Sequence, residues 1–428
     1  MQAVRNTRVR KGPVARRKGY CRLDQEYSGR RTREGKLTWK GTTDLDSQRV
    51  LSLRNVGTVR FGARLLPLCA RDVAESGAKA ALVVSSEPLR PLSGALAAEL
   101  EKAGVAAAIF DAIAAEPTLA DFAAAMDAAR GIGAGFVIGL GGGSAMDVAK
   151  LVAALADGAQ QVDEVIGTGL LARRALPLAC IPTTAGTGSE VTPIAILEDP
   201  EAQLKKGVVS DHLVPDFAYL DPELTVTMPR SVTASTGLDA LTHCIEAYAN
   251  RFAHPVVDAW ALEGIRLIAG NLERACRDGA DLAARAAMLR ASHLGGMCLG
   301  PVNTAAVHAL AYPLGGEFHI AHGVANSLLL PHVLRFNLEA APTRYAEVAS
   351  ALGVERSGDD TADALAGIAE IDRLSAAVGI ERKLSSFGIG ANAIPKMAAA
   401  AITVQRLLER NPRVVTEEDA RAIYEAAL

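Results

Sequence analysis

The chain of 428 residues is poor in several residue types, and each shortage excludes a class of protein. Aromatic residues make up only 4%, which disfavours a β-sandwich and suits close-packed helices and tight turns. The six cysteines include no CxxC pair, so we expect reduced, mostly buried thiols rather than disulfides or zinc–cysteine sites. No apolar run reaches the 18 residues of a membrane span, which predicts a soluble, cytoplasmic protein with no membrane partner.

Strong overall charge is also missing, since the formal net charge is −3, and this disfavours nucleic acid as a partner. The first 40 residues are an exception, with 13 Lys and Arg against three acidic residues. We predict that residues 1–48 form a basic, poorly ordered tail, because this segment has few large apolar side chains. A solvated extension is favoured over a nucleic-acid or targeting arm, because blocks of like charge are usually only solvated.

Two types of pattern divide the rest of the chain. In residues 49–222, compact apolar runs at 80–85, 107–110, 135–140 and 178–182 alternate with helical segments. This alternation predicts a parallel α/β sheet whose strands are buried on both faces. Residues 223–428 are rich in Ala and Leu with a helical period, which predicts an all-helical second domain. A ligand is expected in a cleft between the two domains.

Two glycine-rich loops each follow a predicted buried strand. The first reads GLGGGS at 139–144 and opens a helical segment that carries Asp147 and Lys150. The second reads PTTAGTGSE at 182–190. Glycine lets the backbone approach a ligand closely, and a helix start offers free N–H groups to a phosphate. The alternative for the first loop is a tight structural turn, and for the second it is a hydroxyl-rich loop that caps a helix, with Ser189 as the N-cap. Two loops at the same sheet edge favour a nucleotide.

The helical half contains a candidate metal site. Asp239 and His243 are four residues apart on a predicted helix, so both side chains lie on one face. His308 and His322 lie in apolar or glycine-rich surroundings, where an imidazole needs a partner. A surface ion pair or a satisfied core histidine would explain Asp239 and His243 alone. Together, one carboxylate and three imidazoles suit Fe(II), Zn(II) or a similar metal with room left for substrate.

In combination and order, these motifs resemble the iron-containing (group III) alcohol dehydrogenases, and among them the lactaldehyde reductase (propanediol oxidoreductase) branch. The resemblance begins near Gly57 and runs to the C-terminus. It rests on the segments GGGSAMDVAK, PTTAGTGSEVT, GLDALTHCIEAY, VHALAYPLGG, HGVANSLLLP and NPRVVTEEDARAIYEAAL.

The resemblance implies a Rossmann-like α/β N-terminal domain and an all-helical C-terminal domain, the dehydroquinate-synthase-like fold. It implies a homodimer or larger homo-oligomer, NAD(P) as the cofactor, and Fe2+ or Zn2+ as the metal. The implied metal ligands are Asp239, His243, His308 and His322. The cofactor-binding residues expected on this basis are Ser86, Gly141, Gly142, Gly143, Ser144, Asp147, Lys150, Thr183, Thr184 and Thr187.

The chain departs from the family pattern at three places. Tyr312 stands where many members have a histidine beside the nicotinamide. We therefore name Tyr312, with His308, as a candidate catalytic residue. Tyr312 either relays a proton or only packs beside Pro313. Ser86 stands where many members have an aspartate that favours NAD, and Glu87 follows it. Glu116 replaces the asparagine of an Asn-Pro-Thr segment. The last two departures affect the choice between NAD and NADP.

The predicted reaction is hydride transfer between a small alcohol or aldehyde and NAD(P), with a metal polarising the substrate oxygen. Three alternatives are considered. A reductase similar to maleylacetate reductase would work without metal, but the chain retains all four predicted ligands. A lyase similar to dehydroquinate synthase would need basic side chains around a phosphate-bearing substrate, whereas the segments near the predicted metal are apolar and glycine-rich. A non-catalytic binding protein would bind cofactor without turnover.

Overall fold

The computed structural model describes residues 50–113, 116–199 and 204–428, so the predicted tail at 1–48 lies outside the described residues. The strands are Thr58–Phe61 (β1), Ala80–Val84 (β2), Ala106–Phe110 (β3), Phe136–Gly141 (β4), Gly167–Thr168 (β5), Leu178–Pro182 (β6), Ile194–Asp199 (β7), Leu204–Val209 (β8) and Phe217–Leu220 (β9).

The first helices accompany these strands. They are Leu66–Glu75 (α1), Arg90–Lys102 (α2), Leu119–Ile132 (α3), Gly143–Leu155 (α4) and Val162–Val165 (α5). The remaining helices follow the last strand. They are Arg230–Tyr248 (α6), Pro255–Arg277 (α7), Leu282–Leu299 (α8), Ala306–Phe318 (α9), His322–Asn337 (α10), Pro342–Ala351 (α11), Asp360–Val378 (α12), Ile394–Ile402 (α13), Gln405–Leu408 (α14) and Glu417–Ala426 (α15).

Six strands form a parallel sheet in the order β1-β9-β6-β4-β2-β3. The chain runs outward from β2 to β3 and then returns to place β4 on the other side of β2. The carboxyl ends of β2 and β4 therefore meet at a reversal point of the strand order, where ligands bind in open α/β sheets. The next strand, β6, pairs with β4 up to their last residues, Pro182 and Gly141. Both glycine-rich loops thus begin side by side.

Alternation along β2 explains why helices cover both faces of this sheet. Leu82 and Val84 belong to the core shared with α3 and α4, whereas Ala81 and Val83 face the core shared with α1 and α2. The four predicted strands correspond to β2, β3, β4 and β6. The expectation of burial on both faces is wrong for β3, because β3 is an edge strand and Ile109 is 38% exposed.

A second, three-stranded sheet was not predicted. It has the order β5-β8-β7, and β7 and β8 pair antiparallel. Lys205 and Lys206 stand next to each other in β8, so this strand lacks the uninterrupted apolar run that identified the buried strands.

The chain from α6 onward is helical throughout, as predicted. The central helix is α6, which is buried around its whole circumference from Gly237 to Tyr248 and packs against α7, α8 and α10. No helix within the described ranges is both long and apolar enough to cross a membrane. The five cysteines of the described part are free and buried. The boundary at 222/223 stays a prediction, because the described residues belong to one compact unit.

Candidate active site at the sheet edge and helix α6

Three helices bring the four predicted metal ligands together. Asp239 and His243 lie on α6, His308 lies on α9, and His322 is the first residue of α10. Oδ1 of Asp239 is 3.9 Å from Nε2 of His243, 3.7 Å from Nε2 of His308 and 3.8 Å from Nε2 of His322. Gly323 permits this approach of α10 to α6, because a Cβ atom there would overlap the carbonyl oxygen of Ser235.

Burial sets the charge of this cluster. Burial alone raises the pKa of Asp239, but the three imidazoles and the Asn326 amide outweigh it, so this pKa lies below its usual value. Burial lowers the pKa of His322 to about 3 and also lowers that of His243. The cluster at neutral pH therefore contains an ionised carboxylate and neutral imidazoles at these two positions, which is the state that binds a divalent cation.

Glu246 completes the cluster and was missed by the sequence analysis. This carboxylate is buried; Oε2 lies 2.5 Å from Nδ1 of His308 and Oε1 accepts the backbone N–H of Val307 at 2.6 Å. A bond to Nδ1 leaves Nε2 of His308 to point at Asp239 with its lone pair. Glu246 follows His243 by three residues on α6, and this helical spacing was a signal that the sequence offered.

Asn326 also escaped the sequence analysis. It is fully buried on α10, one turn after His322. Its Nδ2 lies 2.8 Å from Oδ1 of Asp239 and 3.1 Å from Nε2 of both His308 and His322. Its Oδ1 has no hydrogen-bond partner among the described residues.

The donor set fits a divalent first-row metal. The ligand atoms of Asp239, His308 and His322 lie within 4.8 Å of one another, and the ring of His243 stacks on that of His308 with centroids 4.9 Å apart. One oxygen and three nitrogen donors suit Fe(II) or Zn(II). The side chain of His322 is 31% exposed, whereas those of the other three are nearly inaccessible, so the cluster opens on the His322 side.

At the sheet edge, the first glycine-rich loop leads directly into α4. Gly142 is the N-cap of this helix, so the first N–H groups of α4 point out of the carboxyl edge of β4. A Cβ atom at Gly143 would lie 2.9 Å from the side chain of Thr187, and one at Gly142 would lie 3.5 Å from that of Thr184. The two loops therefore form one surface. Ser144 lies in the first turn of α4, and the N–H of Thr183 bonds to Gly141.

Asp147 and Lys150 lie beneath this surface. Lys150 is fully buried, and its Nζ donates to Oγ of Ser189 at 2.8 Å, Oγ1 of Thr192 at 2.9 Å and the carbonyl oxygen of Ile194 at 2.8 Å. Asp147 accepts from Ser189 at 2.6 Å. Both side chains thus tie α4 to the second loop, and the three ammonium donors of Lys150 are used within the protein.

The second loop also packs against the helical domain. A Cβ atom at Gly186 would lie 2.6 Å from Cβ of Thr236 on α6, and one at Gly188 would lie 2.6 Å from Cα of Gly296 on α8. Only glycine allows backbone segments to come this close. The loop therefore connects the sheet edge with the helix that carries Asp239 and His243.

The far end of the sheet edge is more open. Ser86 follows β2 and is partly exposed, and Glu87 is exposed. Nε of Arg90 donates to Asp111 at 2.7 Å, and the side chain of Arg90 is 63% exposed. Asp111, at the end of β3, is an acidic residue at this edge that the sequence analysis did not consider. Glu116 pairs with Lys205 of β8 at 2.9 Å.

Tyr312 lies on α9, one turn after His308, and is partly buried. Nη2 of Arg406, from α14, is 3.4 Å from its hydroxyl oxygen. Tyr312 therefore lies on the same side of α9 as His308, and its hydroxyl group contacts a guanidinium group.

A glycine-rich sheet edge and a buried cluster of one carboxylate and three imidazoles, linked by the second loop, form the arrangement expected of a metal-dependent oxidoreductase that uses a nucleotide cofactor. Sequence profiles agree with this class: iron-containing alcohol dehydrogenase matches residues 57–222, and the C-terminal part of the Fe-containing alcohol dehydrogenase family matches residues 233–428. The chain belongs to the iron-containing alcohol dehydrogenase family and is an enzyme of alcohol and aldehyde oxidation and reduction.

Individual relatives support this assignment. The chain is 41% identical to long-chain-alcohol dehydrogenase 1 of Geobacillus thermodenitrificans, over 83% of this chain and 91% of that protein. It is 36% identical to 1,3-propanediol dehydrogenase of Klebsiella pneumoniae, over 86% and 96%. The crystal structure of a 1,3-propanediol oxidoreductase is 35% identical, superimposes with a TM-score of 0.86, and is covered completely by 89% of this chain. Family membership implies a metal and a nicotinamide cofactor.

Proposed function

We propose that this chain transfers hydride between a small alcohol or aldehyde and NAD(P), with a divalent metal held by Asp239, His243, His308 and His322. The observation that supports it most directly is the convergence of an ionised carboxylate and imidazole nitrogens on one point beside the sheet edge. When bound, the metal supplies Lewis acidity to the substrate oxygen, and the nicotinamide accepts or returns the hydride. The metal is Fe2+ or Zn2+, because the mixed oxygen and nitrogen donors suit both.

The chain's own side chains contribute orientation and proton handling. Glu246 fixes the ring of His308, so that Nε2 faces the ligand cluster. Tyr312, one turn further along α9, handles the proton of the substrate hydroxyl, either directly or through water, and Arg406 orients its hydroxyl group. The packing of the second loop on α6 excludes water from this side of the cluster.

The cofactor binds along the edge formed by both glycine-rich loops. The backbone at Gly141, Gly142 and Gly143, together with Ser144, receives the pyrophosphate at the start of α4. The hydroxyl groups of Thr183, Thr184 and Thr187 border the same surface. Asp147 and Lys150 act on the cofactor indirectly, since their contacts hold the second loop in place. Ser86 borders the adenosine ribose.

The substrate is an alcohol or aldehyde, and the relatives act on several of them by name. Their names include a long-chain-alcohol dehydrogenase, a 1,3-propanediol dehydrogenase and, at 38% identity, a sulfoacetaldehyde reductase of Bilophila wadsworthia. We propose a small substrate, and the direct packing of Gly186 in the second loop against Thr236 of α6 is consistent with this proposal. The metal-free alternative is not favoured, because the ligand atoms of Asp239, His308 and His322 lie within 4.8 Å of one another and Nε2 of His243 lies 3.9 Å from Oδ1 of Asp239.

Assembly and location remain proposals. A homodimer or larger homo-oligomer is supported by β1, which lies at an edge of the main sheet with Val59 43% and Phe61 49% exposed. A cytoplasmic location is supported by the free, buried cysteines of the described part, which suit a reducing compartment.

Chelation tests the proposal. Protein purified without oxygen is treated with a chelator, and its turnover is measured with a panel of alcohols and aldehydes against NAD and NADP. We expect activity to disappear and to return with Fe(II) or Zn(II). Full activity in protein shown by elemental analysis to be metal-free would overturn the metal assignment and favour a reductase similar to maleylacetate reductase. Cofactor binding without turnover of any substrate would contradict the whole proposal.

A further inference from the structure

Asn326 occupies the point on which the ligand atoms converge. Its amide nitrogen is within hydrogen-bond distance of three acceptors that belong to Asp239, His308 and His322. A carboxamide NH2 group carries only two protons, so it cannot donate to all three at once. Its Oδ1, buried in the same place, has no partner among the described residues. An asparagine placed only for packing would leave no such imbalance.

The three acceptors explain why a donor lies here. A carboxylate oxygen and two imidazole lone pairs repel one another unless something positive lies between them, and burial strengthens this repulsion. The amide N–H groups supply a partial positive charge at that point. A divalent cation would satisfy the same acceptors without the limit of two protons, and the cation and the amide nitrogen cannot occupy one position together.

We infer that Asn326 is a positioning residue that substitutes for the cation in the unloaded enzyme and turns away when the metal binds; this inference rests on the proposed metal site. In the unloaded state the amide holds the ligands in their converging arrangement. On loading, the protein gives up these hydrogen bonds, so Asn326 weakens metal binding while it stabilises the empty site. Removal of Asn326 should therefore raise the affinity for metal, whereas removal of a residue that supports the loaded site would lower it.

Removal of the amide tests this sign. In Asn326→Ala, we expect the unloaded protein to melt at a lower temperature and the Zn2+-loaded protein to melt close to the wild type. Affinity for Zn2+, measured by competition with a chromophoric chelator, should rise about tenfold, because a hydrogen bond to a charged group that exists only in the unloaded state is lost. Asn326→Leu, which preserves more of the side-chain volume, should change affinity in the same direction if the alanine variant folds poorly.

Asn337→Ala is the matched control. Asn337 is a buried asparagine on the same helix, and it bonds to Asn411 at 2.9 Å, away from the cluster. Its removal should lower the melting temperature of loaded and unloaded protein equally, with unchanged affinity for Zn2+. Unchanged or weaker Zn2+ binding in both Asn326 variants would overturn the inference. So would a crystal structure of the Zn2+-loaded protein in which Nδ2 still bonds to Asp239.

Failure of the proposed metal site is distinguishable from failure of this inference. If wild-type protein and both Asn326 variants bind no Zn2+ or Fe2+ at all, the metal assignment itself is wrong. If wild-type protein binds Zn2+ and the variants bind it less tightly, the metal assignment stands and only the role of Asn326 is refuted.

Discussion

At the proposed metal site, side chains form the cluster, and buried side chains hydrogen-bond to three of the four proposed ligands, Asp239, His308 and His322. At the proposed nucleotide edge, backbone and small residues form the surface. Glu246 holds His308 by a 2.5 Å contact, and Asn326 touches three ligands at once. Along the sheet edge, by contrast, the surface consists of glycines and hydroxyl groups above a buried lysine. With the roles proposed above, the first arrangement determines the reaction, and the second leaves the choice between NAD and NADP to a few exposed side chains.

This contrast predicts unequal effects of substitution. A change at the metal end removes a ligand or its support and leaves a buried polar group without a partner, which is costly. A change at the adenosine end, the part of the sheet edge near Ser86 and Arg90, alters a side chain that is exposed to solvent, where charges interact weakly. Variants should therefore affect turnover strongly at one end and cofactor preference mildly at the other.

His322→Ala should have the largest effect. This residue is the most exposed of the four predicted ligands and begins α10, so its removal leaves the buried core intact. We expect loss of metal and a fall in turnover of about 100-fold or more. Binding of NAD, measured by fluorescence, should change little, because the loops belong to the other domain.

His332→Ala provides the control for this variant. His332 lies on the same helix, outside the cluster, and its removal should preserve metal content and turnover. If His322→Ala retained metal and near wild-type turnover, the assignment of the cluster as the metal site would be wrong.

Glu246→Gln should have the second largest effect, with affinity for Zn2+ reduced by about 10- to 100-fold. The amide retains the shape of the side chain but removes the charge that stabilises the His308 ring in its metal-binding orientation. Glu347→Gln, which alters a carboxylate bonded to Tyr248 outside the cluster, should leave affinity unchanged. Equal affinities in wild type and Glu246→Gln would mean that Glu246 serves only the packing of α6 against α9.

The sequence identified four side chains that the structure brings together, but not the two buried side chains that contact them. Asp239 and His243 could be paired because a helix places residues four apart on one face. His308 and His322 could be identified because the chain has only eight histidines. Glu246 lies one helical turn after His243, and Asn326 lies one turn after His322. Glutamate and asparagine are common in helices, so this spacing alone did not single them out. Only the fold shows that both are buried against ligands.

The fold was predictable where a strand is buried on both faces, as in β2, β4 and β6. The fold was not predictable where polar residues interrupt the apolar pattern of a strand. In β8, two adjacent lysines interrupt that pattern, so the strand was not recognised. At the proposed nucleotide edge, the glycines were identified from sequence, but close approach to a ligand explains only some of them. Gly186 and Gly188 are required by the close approach of α6 and α8, a long-range constraint that no local pattern contains.

Tyr312→Phe should reduce turnover by about tenfold, less than the roughly 100-fold or more that a proton-transfer group usually contributes, because water can replace the hydroxyl. The KM for the substrate should change little, since the ring remains in place. Tyr312→His, which restores the residue common in the family, should recover most of the lost turnover. Wild-type turnover in the phenylalanine variant at every pH tested would leave Tyr312 with a packing role only.

The smallest effect is expected at the adenosine end, from Ser86→Asp. Wild-type enzyme should use NAD and also, measurably, NADP, because Ser86 offers a hydroxyl group where a carboxylate would repel a 2′-phosphate. Arg90 lies at the same edge with an exposed guanidinium, although Asp111 already binds it at 2.7 Å and competes with a phosphate. Ser86→Asp should lower kcat/KM with NADP by about tenfold, roughly 1.4 kcal/mol, and change that with NAD little.

Steady-state kinetics with NAD and NADP tests the role of Ser86, and Arg90→Ala separates the contribution of Arg90 from that of Ser86. If Arg90 binds the 2′-phosphate, its loss lowers kcat/KM for NADP selectively, and the Ser86→Asp effect persists in its absence. A wild-type preference for NAD above about 1000-fold, roughly 4 kcal/mol, would mean that an acid already does the work of the missing aspartate. Asp111 is then the first candidate, because it lies at the carboxyl end of β3, and Ser86→Asp should have no effect.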